Sequence, residues 1–410
     1  MKKILLIAYY FPPMLVSESI RSMRTAKYLP HFDYDPVVLT TNAIEGKADQ
    51  SLLEQLPPEV LIHRAPFIAG GNMRIQMIYL TTLMRRLFSW QHFDHYKFEW
   101  LAPAIALGSR ILKEERIVAI LSRSTPIASH LVGLMLKLIS GLPWIADFSD
   151  PWTQNPLFSC KKPIHNFEVT VERFVARLSD KILFTSPYAR EMFLRQHKEI
   201  HPEKVEVIQN SFDPSDYEGL NREKTSKFTV TYAGSLYGQR SPESFFKALA
   251  SLRKENVTSE ILVRFIGEMG PYEDLPKKLG VDDIVEVHRV LPHKEVISYL
   301  FRSDVLLLID APSTGPSVFL PMKLVEYLRV GAPILALTPK QGVSADIVQS
   351  TKTGVVVHPT EELAIRNALM ELYSKYTSGH IPFDPDHIQI ENYSAKHCTA
   401  KLARILRELS

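Results

Sequence analysis

The chain has 410 residues, 45% of them hydrophobic and 23% charged, with a formal net charge of +3. That is too long for one typical core and too apolar for wholesale disorder, so two or three folded domains are expected. The small net charge excludes a nucleic-acid binder that works by bulk electrostatics. The two cysteines, Cys160 and Cys398, form no CxxC pair or zinc spacing, which suits a reducing cytosol.

The opening MKKILLIAYYFPP has the charge and apolar run of a signal peptide. A Pro-Pro pair ends it and no small-residue cleavage site follows, so a buried first strand, Ile4–Tyr10, is expected instead. No uncharged apolar segment approaches the ~20 residues of a membrane span. A loop to Ser19, a helix over Ile20–Leu29 and a strand over Pro36–Thr41 complete a right-handed βαβ unit without a GxGxxG fingerprint. Ile20, Met23 and Ala26 face inward; Arg21 and Arg24 read as a solvated face or as contacts to an anionic ligand. After a short strand at Val60–Pro66, residues Asn72–Gln91 are aromatic, apolar and basic. Their MRRLFSWQ segment (Met84–Gln91) is compatible with an anionic membrane surface or with a packed helix.

A helix (Trp100–Lys113), a strand (Ile117–Ser122) and a loop and helix carrying His130 (Ser124–Ile139) come next. Strand Trp144–Asp147 then empties into DFSDPW, Asp147–Trp152. Two carboxylates at the C-terminal end of a strand sit where doubly wound sheets bind ligands, which makes Asp147 and Asp150 the best site candidates of the first half. Asp150 reads alternatively as the acceptor of an Asp-Pro turn. The spacing is DxxD rather than a metal-chelating DxD, and His197 and His201 lack a third ligand, so no metal site is expected. Helices at Glu168–Leu178 and Ala189–His197 and strands at Lys181–Ser186 and Val205–Ile208 close this half. The polar, turn-rich Gln209–Lys227 reads as an interdomain linker.

The alternation restarts with strand Phe228–Ala233, a loop over Gly234–Arg240 and helix Pro242–Lys254. Gly234 permits close approach of backbone amides to an anion, with Arg240 in reach. Strands at Glu260–Gly267, Ile284–His288 and Val305–Ile309 follow, with helix His293–Phe301 between the last two. The most informative stretch is Gly315–Leu337. It reads as a tight loop, a helix Met322–Val330 opened by Pro321 and stopped by Gly331, and a buried strand Ile334–Leu337. Lys323 and Glu326 lie one turn apart, either as an exposed i,i+3 ion pair or as contacts to a phosphate and a ribose. A strand at Gly354–His358 and helices at Glu361–Tyr376 and Ser394–Leu409 end the chain.

Taken in order, YYFPP (Tyr9–Pro13), DFSDPW, VIQNSFD (Val207–Asp213), YAGSLYGQRSPE (Tyr232–Glu243), VHRVLPHKEVISYLFRSDVLLLI and PMKLVEYLRVGAPIL (Pro321–Leu335) resemble a GT-B glycosyltransferase of the retaining family four, the bacterial group 1 type. The resemblance implies an α/β fold of two Rossmann-like doubly wound domains facing a central cleft. It places an acceptor domain at 1–208, a linker at 209–227, a nucleotide-sugar domain at 228–392 and a C-terminal helix at 393–410 that packs back on the first domain. It implies donor contacts from Gly234, Ser235, Arg240, Phe319, Leu320, Lys323, Leu324 and Glu326. Catalytic roles fall to Asp150, Asp147, Arg240 and Lys323, and acceptor contacts to Arg21, His130 and Trp152. Glu326 matches the second Glu of the family's EX7E element, whereas Val318 replaces the first. Ser149 stands where a histidine is usual, Ser235 replaces a basic residue, and Leu15 and Val16 replace a glycine pair.

A nucleotide-diphosphate sugar as substrate, no cofactor and no metal are implied. The acceptor is a glycan, a lipid-linked or a small-molecule hydroxyl, in surface polysaccharide, lipopolysaccharide or glycoconjugate synthesis. The setting implied is the cytoplasm, with peripheral contact at the inner face of its membrane and no nucleic acid. Two alternatives stay open: a nucleotide-sugar hydrolase or epimerase, and a non-catalytic nucleotide-sugar-binding subunit.

Overall fold

The computed structural model describes residues 1–67, 79–80, 82–84, 86–87, 93–158, 160–223, 225–254, 260–313, 315–379 and 383–409. Most of the basic aromatic stretch, including Arg85 and residues 88–91, lies outside them. The chain divides into two compact units, Met1–Gln209 with Ala395–Ser410, and Asn210–Ser394.

The first unit is built on seven parallel strands in the order β3-β2-β1-β4-β5-β6-β7. They are β1 (Lys2–Ala8), β2 (Tyr34–Thr41), β3 (Leu61–Ala65), β4 (Ile117–Arg123), β5 (Trp144–Ser149), β6 (Lys181–Phe184) and β7 (Val205–Val207). The side chains of β1 alternate between two buried faces, which is why it reads as an unbroken apolar run. Leu5 and Ile7 pack with α2 (Phe98–Glu114), α3 (Ala128–Ser140) and α4 (Lys162–Leu178) through Trp100, Ala104, Val132, Leu136 and Val175. Ile4 and Leu6 pack on the other face with Ala26 of α1 (Ser17–Tyr28) and with Leu402, Ile405 and Leu406 of the C-terminal helix Ala395–Leu409. The strand order reverses between β1 and β4, and ligands of such sheets bind beyond the C-terminal strand ends at that reversal.

The second unit carries six parallel strands in the order β10-β9-β8-β11-β12-β13 and reverses between β8 and β11. These are β8 (Phe228–Ala233), β9 (Ile261–Ile266), β10 (Val285–His288), β11 (Val305–Ile309), β12 (Ile334–Leu337) and β13 (Gly354–Val357). Phe228, Val230 and Tyr232 of β8 pack with Phe245, Phe246 and Leu249 of α6 (Glu243–Lys254), the helix that follows α5 (Pro187–Gln196). Helices α7 (His293–Phe301) and α8 (Met322–Val330) flank β11 in sequence. Gly331 ends α8 at φ 79°, the left-handed conformation its lack of a Cβ permits, and Pro333 precedes β12.

Residues 210–227, expected as a linker, belong to the second unit. Phe212 and Tyr217 are buried there, and Phe212 N–H donates to the Tyr393 carbonyl at 2.9 Å. A turn-rich sequence looks like a tether, but its spaced aromatics anchor it to a core. Helix α1 begins three residues earlier than expected and α4 six residues earlier, at Lys162 followed by Pro163.

Candidate functional site

At the reversal of the second sheet, β8 and β11 pair only through Val305–Val230 and Leu306–Thr231. Beyond that the backbone groups need other partners, and Tyr327 of α8 supplies them. Its hydroxyl accepts from Ala233 N–H at 2.8 Å and donates to the Leu307 carbonyl at 3.3 Å. One turn earlier on the same face stands Lys323, so the hydroxyl that fills the split also fixes where this lysine points.

The Lys323 Nζ lies 3.8 Å from the centre of the Tyr232 ring and has no hydrogen-bond partner among the described residues. Gly234, at φ 120°, makes room for it: a Cβ there would stand 2.5 Å from Nζ. Gly267 packs as closely, since its Cβ would meet the Gly234 carbonyl at 2.6 Å. Burial holds the Lys323 pKa well below the ordinary lysine value, the Arg240 charge pushes it further down, and Asp310 and Glu326 oppose this only in part. A buried cation that lacks a counter-ion is costly, and an anion arriving beside it relieves that cost. Arg240 leans on Tyr237, its guanidinium carbon 4.6 Å from the ring centre. Tyr237, Asp310 and Tyr232 favour its charged form. The loop before α8 is held by Ser317, which donates to the Gln341 carbonyl at 3.1 Å and accepts from Val343 N–H at 2.9 Å.

Glu326 is buried on α8 and does not form the exposed pair with Lys323 that the spacing allowed. Its Oε1 is bonded to His293 Nε2 at 2.8 Å, and His293 Nδ1 lies 3.9 Å from Asp216 Oδ2. The structure thus gathers Gly234, Ser235, Arg240, Lys323 and Glu326 around one reversal. Leu324 is fully buried, Leu320 nearly so, and the Leu320 carbonyl accepts from Asn210 Nδ2 at 2.7 Å. Phe319 is half-buried in the loop.

Several expectations for the first unit need correction. Asp147 is fully buried between Arg123 and Arg21, with Oδ2 at 2.9 and 3.1 Å, so its carboxylate is committed to an ion-pair triad rather than open to a substrate. Arg21 also donates to the carbonyls of Ile208 and Gln209, and neither it nor Arg24 lies on a solvated face. His130 is a core residue: its Nδ1 is 2.8 Å from Ser122 Oγ, its ring lies against Phe148, and burial pushes its pKa down to about 3. Trp152 is 6% exposed and packs against Phe148. Asp150 is exposed just past β5, which ends on Ser149 at φ 60°, and its Oδ1 accepts from Thr185 Oγ1 at 3.2 Å.

The profile described as Glycosyltransferase Family 4 matches residues 22–216, and that of Glycosyl transferases group 1 matches residues 217–381. The chain belongs to the family 4, group 1 glycosyltransferases. A comparison with curated proteins finds no match. Among solved structures, a glycosyltransferase from Rickettsia africae superposes with a TM-score of 0.67 at 13% identity, covering 100% of this chain and 98% of that one. HepE of Anabaena in complex with UDP and glucose gives 0.66 at 17% identity, with 100% of both chains covered. The lipopolysaccharide outer core galactosyltransferase WaaB gives 0.61 at 15%, with 99% of both covered. Two parallel doubly wound units are the GT-B architecture of these transferases.

Sequence reasoning about this glycosyltransferase missed several residues of the two reversals. Tyr232 and Asp310 were legible in principle, being the polar endings of apolar strands β8 and β11 next to loops. His293 stood inside a quoted motif without a role, because its partner Glu326 is 33 residues away. Glu18, in the first turn of α1, was read as loop; burial pushes its carboxyl pKa up, and Thr125 Oγ1 donates to it at 3.4 Å. It lies beside the first reversal, after β1 and opposite the loop after β4.

Proposed function

We propose that this glycosyltransferase moves a sugar from a nucleoside-diphosphate donor to a hydroxyl acceptor with retention, in the synthesis of a surface polysaccharide or glycoconjugate. The single observation that carries the donor half is the Lys323 Nζ, buried at the reversal of the second sheet without a hydrogen-bond partner among the described residues. As the bond from the sugar to the diphosphate breaks, negative charge grows on the phosphate oxygens, and cationic groups held in position around the bound diphosphate stabilise it. Lys323 and Arg240 take that charge, the first turn of α8 adds N–H groups without intrahelical acceptors, and Glu326, oriented by His293, holds the ribose. With charge supplied by the chain itself, the reading needs no metal or cofactor. Asp150 and Glu18 receive the acceptor hydroxyl at the first unit.

HepE bound to UDP and to UDP-glucose favours a uridine nucleotide, and WaaB favours a glycoconjugate acceptor. Retention rests on the family resemblance alone. The test is incubation with UDP-, GDP- and dTDP-sugars, with and without acceptor extracts. Transfer that requires acceptor supports the reading. Fast turnover of donor without acceptor favours the hydrolase or epimerase alternative, and binding without turnover favours the non-catalytic one.

A further inference from the structure

Glu326 is gripped from two sides by a single turn of chain, Pro214–Tyr217, in the segment that the sequence presents as a linker. Asp216 Oδ2 stands 3.9 Å from His293 Nδ1, at ion-pair distance, and His293 Nε2 meets Glu326 Oε1 at 2.8 Å. None of these three side chains is more than 9% exposed. The Tyr217 hydroxyl donates to the main-chain carbonyl of Glu326 at 3.3 Å. One residue of the turn thus holds the backbone of Glu326, and its neighbour holds the carboxylate through the imidazole.

The turn is itself anchored. Asp213 is fully buried, and its Oδ1 accepts from Ser215 N–H at 3.0 Å and from Ser215 Oγ at 2.9 Å. The Tyr217 ring packs edge-on against Phe212 and lies beside Phe301 at the end of α7. Carbonyls at helix C-termini lack intrahelical donors, and the Arg222 guanidinium serves two of these ends. It donates at 2.8 Å to Gly331 after α8 and at 2.8 Å to Ser303 after α7. With Asn210 bonded to the Leu320 carbonyl, the segment 210–222 holds α8 before its start, at Glu326 and past its end, all within the second unit.

An acid beside one nitrogen of an imidazole fixes how the ring presents the other. Asp216 does this for His293, and His293 fixes the plane of the Glu326 carboxylate. A carboxylate accepts at about four sites, so orientation by one bond is compatible with acceptance from two vicinal hydroxyls. A polar group held in place for a hydroxyl rejects the analogue that lacks it, because its bond then goes unmade. We infer that Asp216 and His293 are positioning residues that set a preference for ribonucleotide over 2′-deoxyribonucleotide donors, acting through Glu326 rather than on the nucleotide. This rests on the donor reading of the second unit.

Titration calorimetry with UDP and GDP, each beside its 2′-deoxy counterpart, and with dTDP reads the preference. The wild type should bind a ribonucleoside diphosphate at least about tenfold more tightly than its deoxy form, the worth of a hydrogen bond to a charged group. Asp216→Asn and His293→Leu should weaken the ribo form about tenfold and the deoxy form less than about twofold, so that the preference vanishes. Glu326→Gln should erase it in the same way, and His293→Gln, which keeps a donor, should restore part of it. Should His293→Leu fail to fold, the isosteric Asp216→Asn decides alone. Equal losses on both forms mean mere support of the helix and overturn the inference. A preference that Asp216→Asn and His293→Leu retain but Glu326→Gln erases overturns it too, with the donor reading intact. So does a wild type that binds dTDP or a 2′-deoxy form as tightly as the ribo form. A wild type that binds none of the five nucleotides removes the donor reading, and this inference with it.

Discussion

At the reversal of the first sheet, Arg21 and Arg123 converge on Asp147, and β1 and β4 stay paired from Ile4–Ala119 up to Ala8–Arg123. At the reversal of the second sheet, the strands part after two paired residues, and Lys323 points into the split over the Tyr232 ring with no hydrogen-bond partner among the described residues. One fold thus uses the same topological position in two ways. In the first unit two buried cations share one carboxylate and tie the strand ends to α1 and to the Ile208 and Gln209 carbonyls, a structural use. In the second the cation is left unbalanced, which costs stability in the empty state and creates affinity for an anion.

The comparison breaks most visibly at Asp147. Asp147→Asn leaves two buried guanidiniums uncompensated and should destabilise the protein by about 3–5 kcal/mol, lowering Tm by on the order of 10 °C in calorimetry. The two arginines hold the Asp147 carboxyl below the ordinary aspartate value. A depressed pKa in the folded state means that this stabilisation is complete above the unfolded-state pKa and is lost as pH falls through the folded one. The variant should therefore show a flatter acid limb.

Lys323→Ala should do the opposite: an unchanged or higher Tm, with kcat/KM lowered about a hundred- to a thousand-fold. A large loss of stability in this variant would show Lys323 to be a structural cation like Arg123. Tyr327→Phe removes the acceptor for the buried Ala233 N–H and should cost about 1–3 kcal/mol by denaturant titration, with weaker donor binding as the split relaxes. The smallest effect is expected for Glu18→Gln. KM for the acceptor should rise a few-fold, by roughly the worth of one hydrogen bond, with donor affinity unchanged in titration.

Local chemistry made much of the second unit legible. Helix Met322–Val330 and strand Ile334–Leu337 fall where Pro321, Gly331 and Pro333 punctuate the chain. Apolar runs marked the buried strands for the same reason. Long-range pairing was not legible. Arg21 and Asp147 are 126 residues apart, and nothing near either shows that they cancel one another. Charged side chains on a helix read as solvated until a partner is known, and a lone histidine such as His130 on an apolar helix reads more often as a capping or core residue than as a catalyst, which its environment bears out. The candidate site in the second unit escaped that difficulty because glycine, lysine and the helix start are themselves the local signal; its dependence on Tyr327 was visible only in three dimensions.

The central claim is that an anionic diphosphate completes the charge of Lys323. Because burial keeps that pKa low in the empty protein and a bound diphosphate raises it, binding takes up a proton between the two values, and affinity falls as pH rises through that window. Titration calorimetry in buffers of different ionisation enthalpy, with whichever nucleoside diphosphate raises Tm, measures this directly. The account predicts net proton uptake by the wild type and both weaker binding and no such uptake by Lys323→Ala. Equal affinity and equal proton exchange in the two proteins would contradict it.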